Sequence, residues 1–187
     1  MVKKAIILLA DGFEDVEAVT PIDYLQRAGI EVTAVSISDS LTVTSKWGGI
    51  KVTATVTLAE IIKQGTNSYD AVILPGGMPG TANLAASKEA GALVKEMAAG
   101  GKLVCAICAA PALVLAPLGL LDGKKFTCYP GMEEKAANGK WSDGRVVTDG
   151  NVITSRGAGT AGEFAVAIIE KLLDKAAAQK IAEAVLL

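Results

Sequence analysis

Histidine is absent from all 187 residues, and with it goes the imidazole that activates most hydrolase nucleophiles and ligates most catalytic zinc. A cysteine nucleophile would then need a carboxylate to carry its proton. Aromatic residues make up only 4% of the chain against 51% apolar residues overall, so the core is expected to be aliphatic and closely layered. Three cysteines are too few for a disulfide scaffold and, without histidine, for a closed structural zinc site. Eighteen basic against twenty acidic residues give a net charge of −2, and no basic stripe marks nucleic acid as an obligate partner. No apolar run approaches the roughly 20 residues of a membrane helix. The start, MVKKAIILLADGFEDVE, sets two lysines before an apolar run. That run soon meets Asp11, Glu14 and Asp15 with no small-residue cleavage site, so it reads as a buried strand rather than a signal peptide. Free cysteines without an export signal point to the reducing cytoplasm.

What is present is an alternation of strand-like and helical patterns from end to end, the signature of a mostly parallel α/β sheet covered on both faces. The pattern predicts strands over Ala5–Ala10, Glu31–Ile37, Ala71–Leu74 and Leu103–Ile107. It predicts helices over about Glu14–Ala28, with Gly29 as stop and Pro21 as a kink, then Leu58–Lys63 and about Gly80–Ala99. Leu41–Thr44 and Ile50–Thr55, joined through KWGG, read as a hairpin. Short strands follow at Lys125–Cys128, Val146–Thr148 and Val152–Ser155. Thr160–Asp174 is a patterned helix with Thr160 and Glu163 as a capping box, and Lys175–Leu187 is a last amphipathic helix. With no linkers, repeats or low-complexity segments, residues 1–187 read as one domain.

The stretch GKLVCAICAAP carries the chemistry. A strand buried on both faces runs into Cys108, and Ala109, Ala110 and Pro111 suit a first helical turn, where the missing N–H of proline costs nothing. Cys108 therefore sits on a sharp strand-to-helix elbow, near unpaired N–H groups and a helix dipole that favour thiolate. Cys105 and Cys128 read as buried small hydrophobes. A Cys105–Cys108 redox pair is excluded by geometry, because three residues of strand span about 10 Å and a disulfide tolerates roughly 7 Å between Cα atoms.

Ligands in an open α/β sheet bind beyond the carboxyl ends of the strands. Asp11–Glu17, Pro75–Gly80, the Cys108 turn and Ser155–Thr160 should meet there. Gly76 and Gly77 allow close backbone approach and offer N–H groups for an oxyanion. Glu14 and Asp15 complement the dipole of the first helix. Glu17 is placed to turn toward the end of the sheet, where desolvation would raise its pKa and let it share a proton with the Cys108 sulfur.

The segments ADGFEDVEAVTPIDYLQRAGIEVT, VILPGGMPGTANL, CAICAAP and ITSRGAGTAGEFAVAIIE resemble the ThiJ/PfpI superfamily, in the branch of the parkinsonism-associated deglycase and bacterial YajL, over nearly the whole chain. The resemblance implies a flavodoxin-like three-layer sandwich, a homodimer, a reactive Cys108 on a nucleophile elbow, a protonated Glu17 hydrogen-bonded to it, and Gly77 and Ala109 amides lining an anion pocket. It also implies a cofactor-independent activity on small 2-oxoaldehydes, of glyoxalase or deglycase type, converting methylglyoxal to lactate. The alternative is a redox sensor or stress chaperone working through oxidation of Cys108. Tyr129 stands where the human-like branch has a histidine, and a phenol is a poor base at neutral pH. Ala109 stands where the protease-like members and glutaminases carry a histidine, which argues against peptide and glutamine hydrolysis. Arg27, Arg156 and Lys46 are candidates for positive charge around the pocket, and Lys46 resembles a basic position that the partner subunit contributes in the family.

Overall fold

Strands that show apolar side chains to both sides can only be satisfied between two layers, and the chain supplies three such strands. The computed structural model describes residues 2–47 and 49–187, so Gly48 in the predicted hairpin connection lies outside it. In chain order it contains β1 (Lys4–Leu9), α1 (Asp15–Arg27), β2 (Glu31–Ser36), β3 (Thr42–Thr44), β4 (Lys51–Thr53), β5 (Val56–Thr57), α2 (Leu58–Gln64) and β6 (Ala71–Leu74). There follow α3 (Gly80–Ala86), α4 (Lys88–Ala99), β7 (Leu103–Ile107), β8 (Lys125–Phe126), β9 (Lys140–Trp141), β10 (Val146–Asp149), β11 (Val152–Ser155), α5 (Ala161–Leu172) and α6 (Lys175–Ala184).

The main sheet has seven strands in the order β10-β11-β7-β6-β1-β2-β5. All pairs are parallel except β10 against β11. Alternation divides each central strand between two cores. Ala5, Ile7, Leu9, Ile73, Cys105 and Ile107 pack with Leu25 of α1, Phe164 and Ile168 of α5 and Ile181 of α6. Ile6, Leu8, Val72, Leu74, Val104 and Ala106 face the other way, onto Ile61 of α2, Leu84 of α3 and Val94 and Met97 of α4. Each Val, Leu, Ile, Phe or Met among them, fully withdrawn from water, contributes about 1.5–3 kcal/mol. The result is the three-layer α/β sandwich that the alternation predicts. Among the described residues no helix is long and apolar enough to cross a membrane.

Four local expectations are corrected. The helix predicted over Gly80–Ala99 breaks at Ser87, whose Oγ accepts the Ala90 N–H at 3.1 Å and so starts α4 afresh. After Cys108 there is no regular helix but a single wide π turn, Pro111–Leu115. The Thr160–Glu163 capping box does not form: Thr160 Oγ1 lies 2.6 Å from Ser155 Oγ, while Glu163 accepts from Arg145 at 2.7 and 2.9 Å. Both side chains found nonlocal partners that outbid the cap. The last helix stops at Ala184. The hairpin forms as β3 against β4, and α1 runs unbroken through Pro21.

Candidate functional site

The chain leaves β1 toward β2 on one side and returns to β6 on the other, so the sheet reverses direction beside β1. The crevice beyond this reversal is where an open α/β sheet accepts a ligand. The turns after β1, β6 and β7 converge on it. Cys108, the first residue past β7, has φ +65°. Its N–H donates to Ser155 O at 2.9 Å and its carbonyl accepts the Tyr129 N–H at 2.7 Å, which holds the elbow from two neighbouring segments. The amides of Gly77 and Ala109 donate toward its sulfur.

Glu17, in the first turns of α1, is 1% exposed. Its Oε2 accepts the Gly76 N–H at 2.8 Å, and its carboxyl is hydrogen-bonded to the Cys108 side chain. Gly76 is required by space: a Cβ there would lie 2.5 Å from Glu17 Oε2 and 2.6 Å from Cys108 Cβ. Gly77 is required by conformation as well, with φ +92° and a would-be Cβ 2.4 Å from the Glu14 nitrogen. The Gly76 amide is therefore spent on Glu17 and is not an oxyanion donor, whereas those of Gly77 and Ala109 face the sulfur.

The electrostatics correct the expectation of a thiol acidified by its turn. Burial pushes Glu17 up to about 7, and burial followed by the Glu17 charge pushes the Cys108 thiol up to about 12, against the lowering effect of the Gly77 and Ala109 amides. The wide turn of five residues after Cys108 is too short to carry much of a dipole. Two buried acidic groups in contact cannot both ionise cheaply, so around and above neutral pH they share one proton and one negative charge. Sulfur becomes anionic when that proton rests on Glu17.

Above the pair opens a cleft of about 320 Å³, lined by Glu14, Glu17, Lys46, Gly77, Met78, Cys108, Ala109, Tyr129, Met132 and Ala158. Lys46 Nζ lies 3.6 Å from Glu14 Oε2 and 4.6 Å from the Trp47 ring centroid. The lysine lines the cleft of its own chain. Tyr129 is half exposed and also lines the cleft, with its ring near Gly157. Arg27 is not at the site: it sits exposed at the far end of α1, paired with Asp23 at 2.8 Å, about 15 Å along the helix from Glu17. Arg156 lines a neighbouring cleft instead. Cys105 and Cys128 are buried and unbridged. Sequence reasoning missed Met132, reached Met78 and Ala158 only as members of the converging segments Pro75–Gly80 and Ser155–Thr160, and assigned Glu14 to the helix dipole alone. Among the described residues no cluster of three or more Cys, Asp or Glu side chains is placed to hold a metal ion.

The sequence model described as the DJ-1/PfpI family matches residues 3–171. Protein DJ-1 homolog B of Arabidopsis thaliana is 42% identical over 97% of this chain, which spans only 40% of that protein's length. A protein of Caenorhabditis elegans named glutathione-independent glyoxalase DJR-1.2 is 35% identical, over 91% of this chain and 89% of its own. The crystal structure of a DJ-1 superfamily protein from Salmonella typhimurium superposes with a TM-score of 0.93 at 39% identity, covering 98% of both chains.

Proposed function

The chain belongs to the DJ-1/PfpI family, and from that premise we propose that it is a cofactor-independent, cysteine-dependent enzyme of glyoxalase or deglycase type acting on small reactive 2-oxoaldehydes. The observation that carries this reading is the buried Glu17 carboxyl, hydrogen-bonded to Cys108 and fixed by the Gly76 amide at 2.8 Å, at the floor of an open cleft. A glutathione-independent glyoxalase among the relatives supports it.

In the proposed cycle Glu17 takes the Cys108 proton and the sulfur adds to the aldehyde carbon of methylglyoxal. The carbonyl π bond breaks toward oxygen, and the developing oxyanion, bonded one atom away from the sulfur, takes over the Gly77 and Ala109 amides that donate to the sulfur in the free protein. The oxygen is then protonated to give a hemithioacetal. Glu17 removes the proton from the former aldehyde carbon and returns one to the adjacent carbon, while the hemithioacetal hydroxyl proton passes to the neighbouring carbonyl oxygen, leaving a thioester of lactate. Water hydrolyses that thioester, regenerating the Cys108 thiol and releasing lactate. A carboxyl whose pKa is raised to about 7 is matched to both taking and giving a proton at neutral pH. Glu14, Lys46 and Tyr129 line the cleft where the rest of the substrate would sit. The exposed apolar side chains Val16 and Val19 on α1, with Trp47 and Ile50 beside the hairpin, support a homodimer.

The test is lactate formation from methylglyoxal by purified protein in an amine-free buffer. Cys108→Ser and Glu17→Gln should abolish it, while Cys105→Ser should not. If the parent shows no turnover yet Cys108 is readily oxidised by peroxide to the sulfinate, the enzyme reading fails and redox sensing takes its place.

A further inference from the structure

The cleft above Cys108 has a neighbour on the other side of Tyr129. That ring and Ala158 also form part of the wall of a second cleft, of about 430 Å³, completed by Pro130, Arg145, Arg156 and the Gly157–Thr160 turn. A 2-oxoaldehyde as small as methylglyoxal needs roughly 100–150 Å³, judged from the liquid volume of a few waters. The first cleft alone exceeds that, and the second would be idle.

The two arginines of the second cleft differ. Arg145 is spent: its Nε and Nη2 donate to Glu163 at 2.7 and 2.9 Å, and Nη2 also to Gly159 O at 2.8 Å. Arg156 is half-buried, and its Nη1 donates to Asp143 O at 3.0 Å. No carboxylate lies within ion-pair distance of Arg156 among the described residues. Its Nε and Nη2 edge is therefore a planar two-donor fork without a protein acceptor, the shape that receives a carboxylate in bidentate fashion. One uncompensated cation suits a monoanion better than a phosphate dianion.

We infer that the paired clefts bind an aldehyde with a carboxylate at its far end, the carbonyl at Cys108 and the carboxylate on Arg156, with Tyr129 packed along the chain between them. This deepens the proposed carbonyl chemistry and rests on it. Capture of the aldehyde is a reversible addition in which the S–C bond forms, the carbonyl π bond opens and the sulfur's proton passes to oxygen, with no oxidant or reductant.

Succinic semialdehyde and its uncharged amide, nearly equal in size, separate the carboxylate from the rest of the ligand. Their dissociation constants are read by titrating backbone amide chemical shifts of the full chain. The carboxylate should bind about tenfold more tightly than the amide, with shifts at Tyr129 and Gly157–Thr160, and added salt should narrow the gap. Arg156→Gln should bring the two dissociation constants together, with unperturbed amide shifts away from the clefts showing that the fold survives; Arg156→Lys should keep part of the preference. Equal affinities in the parent, a preference that persists in Arg156→Gln, or shifts confined elsewhere would overturn the inference. Lack of methylglyoxal turnover would sink the enzyme reading and leave these constants standing.

Discussion

Replacing Glu17 by Gln should make the protein more stable at alkaline pH than its parent. The carboxyl titrates near 4.5 when free and at about 7 in the folded chain, chiefly because burial penalises its charge, with the Cys108 and Gly76 hydrogen bonds offsetting part of that. A raised folded pKa means the folded state holds the proton more tightly, so stability falls as pH rises from about 4.5 to 7 and is level on either side. At about 1.36 kcal/mol per unit, the loss amounts to roughly 3 kcal/mol. Glutamine has the same shape, accepts the Gly76 N–H through its carbonyl and carries no charge to desolvate. Urea unfolding of parent and variant between about pH 4 and pH 8.5 should give similar stabilities at the acid end and a gap opening to roughly 3 kcal/mol in favour of the variant. A gap that stays constant to within about 0.5 kcal/mol across that window would show that Glu17 is not a buried carboxyl with a raised pKa. In a Cys108→Ala background, where the side-chain donor that helps the carboxylate is gone, the window should move to higher pH.

The same pair predicts that Glu17→Gln lowers the midpoint of Cys108 ionisation, followed by thiolate absorbance, because the carboxylate that holds the thiol at about 12 is removed; an unchanged or higher midpoint would contradict this. Gly76→Ala would place a methyl 2.5 Å from Glu17 Oε2 and 2.6 Å from Cys108 Cβ, and the forced displacement should cost about 1–3 kcal/mol in thermal or urea unfolding, so a variant as stable as its parent would deny the close approach. Glu163→Ala removes a bidentate but exposed partner of Arg145, and denaturation should register less than about 1 kcal/mol, whereas a larger loss would mean that the pair anchors α5.

The apolar strands were legible because burial on both faces leaves no polar position to misread: KAIILL, AVIL and LVCAI announce themselves. Cys108 and Glu17 were legible because a turn and a helix phase are local properties. The acidity of the sulfur was not. It depends on how deeply a carboxylate 91 positions earlier in the chain is buried against it, a contact that the residues around Cys108 cannot report. The same limit explains Gly76, whose amide was free for a ligand until Glu17 took it. Arg27 fails for a simpler reason: a helix extends far enough to carry its last turn away from the site that its first turn builds. Thr160 and Glu163 had the spacing of a cap and lost it to Ser155 and Arg145, partners that the local pattern does not contain.

Cys108 occupies a left-handed backbone conformation, φ +65°, that disfavours any L-residue with a Cβ by about 1–2 kcal/mol. Glycine is the natural tenant of such a place, so the usual ranking should invert there, with Cys108→Gly more robust than Cys108→Ala. A lineage selected for heat resistance alone would find it easy to discard the thiol, and its persistence in a chain would itself be a sign that something other than durability is being maintained.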